Sequence, residues 1–168
     1  AFGVASQRAY ERSLETPGRG LYFSFEAFES AVALNQTANT PAASLLYALD
    51  LQLERIGAEG IEARWARHRA MAERTWAWVD EMREERGLGL GVLAVEGRRS
   101  PSVTCVAVPE GLSGVEVTRG MAERGFTIAP GYGRLKESTF RIGHMGDHTL
   151  EELDALLEEL TSVITGRG

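Results

Sequence analysis

The chain has 168 residues, 43% hydrophobic and 25% charged, which is ordinary usage for a folded chain long enough to bury a core. Its formal net charge of -6 and pI near 5.2 exclude a nucleic-acid backbone as the expected partner, because that affinity comes mainly from basic charge. A single cysteine, Cys105, allows no internal disulfide and no cysteine-based metal cluster, and no apolar run approaches membrane-spanning length.

The chain opens on Ala1-Phe2-Gly3-Val4-Ala5, short, apolar and strand-like, with no methionine ahead of it, so a segment of a longer protein is expected. Ser6 is placed to cap a helix through Arg8, Tyr10, Arg12 and Leu14, which Thr16-Pro17-Gly18 breaks. An aromatic stretch, Leu21 to Phe25, leads into a helix over Glu26–Leu34. The polar turn from Asn35 to Pro41 predicts a helix start, with Thr40 as cap and Pro41 in the first turn. That helix runs to about Ile56 and carries Leu45, Leu46, Leu49 and Leu53 at helical spacing. Its start is also a ready anion site, since free amides and threonine hydroxyls converge there.

Gly57 and Gly60 separate it from a long helix over Ile61–Arg86, with Ile61, Trp65, Ala72, Trp76 and Val79 on one stripe and Met71, Trp78 and Met82 widening the apolar face. Gly87-Leu88-Gly89-Leu90-Gly91 follows a helix and precedes a strand over Val92–Val95, the reverse of a phosphate-cradling loop. A β-branched strand over Ser102–Val108 contains Cys105, which reads as a buried small residue. A helix over Leu112–Arg124, a short strand over Phe126–Ala129, a strand over Thr139–Gly143 and a final amphipathic helix marked by Leu150, Leu153, Leu157, Leu160 and Ile164 complete the chain.

The strand Thr139-Phe140-Arg141-Ile142-Gly143, preceded by Pro130-Gly131-Tyr132-Gly133-Arg134, holds the residue of most chemical interest. Alternation places Phe140 and Ile142 on one face and Arg141 on the other. A guanidinium there needs an anionic partner, and its fork suits bidentate capture of a carboxylate or phosphate. A structural salt bridge to one of the chain's acidic residues is the competing reading. His144, Asp147 and His148 form the only metal-like cluster, but Gly146 disfavours a helix there and Asp147 is expected to cap the last helix.

These stretches together resemble the C-terminal half of the class V, fold type I pyridoxal-phosphate enzymes, which include alanine–glyoxylate and serine–pyruvate aminotransferases. The resemblance rests on Asn39-Thr40-Pro41 before the leucine-rich helix, Arg99-Ser100-Pro101-Ser102-Val103-Thr104, Val108-Pro109-Glu110-Gly111 and Phe140-Arg141-Ile142-Gly143-His144-Met145-Gly146. The implied fold is α+β. Residues 1–58 would be the end of a large cofactor-binding domain with an interdomain helix. Residues 59–168 would be a small C-terminal domain, its sheet of three or four largely antiparallel strands covered by helices.

The resemblance further implies that Arg141 binds the substrate α-carboxylate and that Thr40 donates to the phosphate of pyridoxal 5'-phosphate across a homodimer interface. Thr37 and Gln36 are its expected neighbours there, with Thr37 standing where the family often has tyrosine. The Schiff-base lysine of the family lies upstream, and Lys136, the only lysine here, does not match it. No catalytic residue is therefore expected in these residues, which would be inactive alone. The expected parent is a cytoplasmic aminotransferase moving an amino group from serine, alanine or aspartate to glyoxylate, pyruvate or 2-oxoglutarate. It would have neither membrane nor nucleic-acid partners. The alternative is a non-catalytic amino-acid-binding or dimerisation module.

Overall fold

The computed structural model describes residues 3–166, which divide into two compact units, one through Arg55 and one from Ile56. The first is helical. Ser6 caps α1 (Gln7–Glu15) by accepting from the Ala9 amide, and Ser24 caps α2 (Phe25–Ala33) through the Ala27 amide. Gly3 to Ala5 are irregular rather than a strand, while Ala1 and Phe2 lie outside the described residues. Asn35, at φ 55°, turns the chain toward α3 (Ala43–Glu59), which begins two residues later than expected. Ala42 holds the cap position, its carbonyl accepting from Leu46 N, so Thr40 does not cap this helix.

In the second unit, Gly60 at φ 86° separates α3 from α4 (Ile61–Glu84). The wide apolar face expected on α4 is found from Met71 onward, where Met71, Ala72, Thr75, Trp78, Val79 and Met82 are buried, whereas Trp65, also expected on it, is 62% exposed. The core begins only at Met71, and the first turns of the helix carry arginines instead.

The sheet contains β1 (Gly91–Val92), β2 (Val103–Ala107), β3 (Ala129–Pro130) and β4 (Thr139–Gly143), in the order β1-β2-β4-β3 and antiparallel throughout. Helix α5 (Gly114–Glu123), capped by Ser113, packs on β3 and β4, while α4 packs on β1 and β2. Helix α6 (Leu150–Thr165) packs on both α4 and α5. Phe140 and Ile142 of β4 and Val106 of β2 meet Met71, Val117, Met121, Leu157 and Leu160 in the core under these helices.

Two strands are shorter than expected. At the first edge the strand is only Gly91–Val92, with Leu93 N donating to Cys105 O just beyond it. Phe126 is not in a strand because its amide donates to Met121 O, while Gly125, at φ 85°, donates to Ala122 O, the double closure that ends α5. Asp147 is also corrected as a cap: Thr149 caps α6 in a reciprocal capping box with Glu152. Among the described residues, no helix is long and apolar enough to cross a membrane.

Candidate functional site

Strand β4 lies between β2 and β3, with Arg141 directly across from Cys105 on one side and Ala129 on the other. Cross-strand partners share a face, so these three side chains lie opposite Phe140 and Ile142, on the side away from the core. Arg141 is half-buried, and its Nε donates to the Pro130 carbonyl at 3.0 Å. It forms no ion pair among the described residues, so the structural salt bridge is not found. A guanidinium at the centre of a sheet is thus oriented by one neutral acceptor, with both terminal nitrogens uncommitted. Sequence reading found Arg141 but not Pro130 as its partner. The Pro-Gly pair marked a turn, and only the antiparallel pairing of β3 with β4 shows where that carbonyl points.

Beyond Gly143 the strand is pinned by a buried polar network. His144, 1% exposed, donates its amide to Ser102 O at 3.0 Å, and its Nδ1 lies 3.1 Å from Pro101 O. A carbonyl only accepts, so Nδ1 carries the proton and Nε2 accepts from the Thr104 hydroxyl at 2.8 Å. That hydroxyl in turn accepts from Trp76 Nε1 at 2.9 Å. Desolvation pushes the His144 pKa below its ordinary value, against the raising effect of the Pro101 hydrogen bond, and favours this neutral tautomer. The imidazole is spent on these contacts, while exposed His148 pairs with Glu152. Among the described residues, no three or more His, Cys, Asp or Glu side chains are placed to hold a metal ion.

The loop after β4 is tied to the start of α4. Arg64, largely buried, reaches Glu59 and Asp147, each at 2.8 Å. Arg67 pairs with both oxygens of Glu59, at 2.7 Å and 2.8 Å, and donates to Gly146 O at 3.0 Å. His68 Nε2 donates to the same carbonyl at 3.2 Å. The Glu59 carboxyl is held below its ordinary pKa, first by the Arg67 hydrogen bond and also by Arg64, against desolvation. The arginines on the first turns of α4 were the available sequence signal for this tie. Nothing in the sequence identified their partners, because Asp147 lies 83 residues from Arg64.

In the first unit, Gln36, Thr37 and Thr40 share the turn between α2 and α3, and all are exposed. Their side chains make no hydrogen bond among the described residues, although the Gln36 amide donates to Ala31 O. Lys136 is exposed at the end of a 3₁₀ turn over Gly133–Leu135.

The sheet and its covering helices match the C-terminal part of aminotransferase structures, and the chain belongs to the class V, fold type I aminotransferases, a family of enzymes. Several of its relatives are named as glyoxylate aminotransferases. An alanine–glyoxylate aminotransferase from Nostoc sp. superposes with a TM-score of 0.80 at 26% identity, over 95% of this chain and 42% of that one. An uncharacterized aminotransferase of Methanocaldococcus jannaschii is 34% identical over 85% of this chain and 36% of its own length. A protein of Synechococcus sp. named as the small subunit of a soluble hydrogenase is 30% identical over 100% of this chain and 42% of its own. The chain thus spans between 36% and 42% of the length of these two curated relatives. No protein-family model matches it.

Proposed function

We propose that this chain forms part of a pyridoxal-phosphate-dependent aminotransferase that moves the amino group of a small amino acid, serine or alanine, to a 2-oxo acid such as glyoxylate. The observation that carries this reading is Arg141: half-buried, oriented through Nε, and without a carboxylate partner. A cation kept uncompensated at that cost suits an anion arriving from outside, and a planar fork suits a carboxylate. One clamp serves a monocarboxylic donor. Aspartate would require a second cation, for which exposed Arg134 is a candidate.

The turn before α3 fits the phosphate of the cofactor. It offers the Thr40 and Thr37 hydroxyls and the Gln36 side-chain amide, all exposed, ahead of the positive end of a 17-residue helix. When bound, pyridoxal 5'-phosphate supplies the electron sink for the substrate's α-carbon. The roles proposed for this chain are to hold that phosphate and to anchor the α-carboxylate, which orients the α-C–H for proton removal. The base that removes the proton is proposed to be a lysine outside these residues.

The same reading takes the first unit with α3 as the end of the large domain and interdomain helix, residues 1–58, and residues 59–168 as the small domain. A homodimer with shared sites and a cytoplasmic setting complete the proposal. The test is an absorbance scan of the full-length protein with pyridoxal 5'-phosphate, before and after addition of serine, alanine or aspartate, followed by product assay with glyoxylate. A donor-dependent spectral change with amino transfer is expected. No cofactor spectrum would sink the proposal and favour an amino-acid-binding module.

A further inference from the structure

Arg141 is oriented by the Pro130 carbonyl, and the loop behind that carbonyl is closed in an unusually constrained way. The Gly131 amide donates to Thr139 O at 2.9 Å, and the Thr139 hydroxyl donates across the loop to Leu135 O at 2.8 Å. Both residues are buried, Thr139 to 1% exposure. Gly131 has no room for a side chain: a Cβ there would lie 2.1 Å from Thr139 Oγ1 and 2.2 Å from Leu135 O. Its φ is not in the left-handed region, so space, not backbone conformation, demands glycine. The residue that follows the acceptor carbonyl is thus clamped between the hydroxyl of the residue two positions before Arg141 and a backbone oxygen of the same loop.

A guanidinium offers two edges for bidentate binding, one formed by Nε with a terminal nitrogen and one by the two terminal nitrogens. Nε carries a single hydrogen, and here Pro130 accepts it. We infer that Gly131 and Thr139 are positioning residues that hold the Pro130 carbonyl against Arg141 Nε, so that the arginine takes a substrate carboxylate end-on, through Nη1 and Nη2. This rests on reading Arg141 as the carboxylate anchor. Without the clamp, Nε is released, the fork gains a second binding mode and rotational freedom, and the carboxylate loses its fixed approach. Cofactor and proton-transfer groups are left as they were.

The experiment compares Thr139→Val, Thr139→Ser, Gly131→Ala and Arg141→Ala in the full-length, cofactor-loaded protein, reading KM for the amino donor, kcat at saturating donor and the bound-cofactor spectrum. Thr139→Val removes the hydroxyl at nearly constant shape. It and Gly131→Ala should raise donor KM about 5- to 10-fold with kcat within about twofold and the spectrum unchanged. Thr139→Ser keeps the hydroxyl and should restore KM to within about twofold of the parent. If Thr139→Val leaves KM unchanged, or Thr139→Ser is as impaired as Thr139→Val, the inference is overturned. Should Gly131→Ala fail to fold, the valine and serine variants still decide. Arg141→Ala separates the two readings: no rise in KM defeats the anchor itself, whereas a large rise beside an unaffected Thr139→Val defeats only the clamp.

Discussion

Arg141 and His144 stand three positions apart on one segment and use their charge in opposite ways. Arg141 keeps a free cation. A charge-assisted pair to a carboxylate is worth about 1.5–3 kcal/mol, so Arg141→Ala is expected to lower kcat/KM about 10- to 100-fold. Arg141→Lys retains the charge without the fork and should fall between. Steady-state kinetics with serine and alanine check both. His144 is kept neutral by burial, with its ordinary pKa of 6.5 lowered in the folded state. The unfolded chain then binds the proton more readily. Stability from this site is complete above about pH 6.5 and is lost as pH falls from there toward the depressed folded value. Melting temperatures measured between about pH 7 and pH 5.5 should decline for the parent protein. His144→Asn should be less stable at pH 7 but flatter across that range. Loss at the depressed carboxyls of Glu59 and Glu152 begins lower, below their ordinary value of 4.5.

Among the elements, β4 was the most legible and α4 the least. The alternation of Phe140, Arg141 and Ile142 assigns faces without reference to neighbours, and the structure keeps those faces. On α4 the apolar residues wrap too far round the helix for periodicity to choose a face. Tertiary packing on the sheet and α6 buries Met71, Trp78 and Met82, and leaves Trp65 exposed. How closely α5 meets β4 was likewise invisible, because it depends on the absence of an atom. A Cβ on Gly114 would sit 2.1 Å from Thr139 O, a backbone atom that cannot step aside. Gly114→Ala is therefore expected to destabilise the fold by about 1–3 kcal/mol despite alanine's better helix propensity. Chemical denaturation gives the difference, and a stabilising effect would show that α5 can slide on the sheet.

At the scale of the molecule the two units differ in kind. The second has a continuous core from Met71 to Leu160. The first buries no apolar side chain among its described residues, and Leu21, Tyr22, Phe23, Val32, Leu45 and Tyr47 are all exposed. Residues 56–168 expressed alone should unfold cooperatively on heating, whereas residues 1–55 should show no cooperative transition. Calorimetry of the two pieces checks this, and a sharp transition in the shorter one would reveal a core not found here. What the sequence determined by itself was local: the Ser6 cap, the faces of β4 and the amphipathic α6. The α+β class followed from the order of these elements, and the family followed from short motifs. Tertiary structure alone decided that Pro130 orients Arg141, that Asp147 serves Arg64 rather than α6, and that His144 is occupied by Thr104 and Pro101. Periodicity and capping act over a few residues, where the chain's own geometry suffices. These pairings span 11 to 83 residues, so they exist only once burial has brought distant groups together and left each needing a partner.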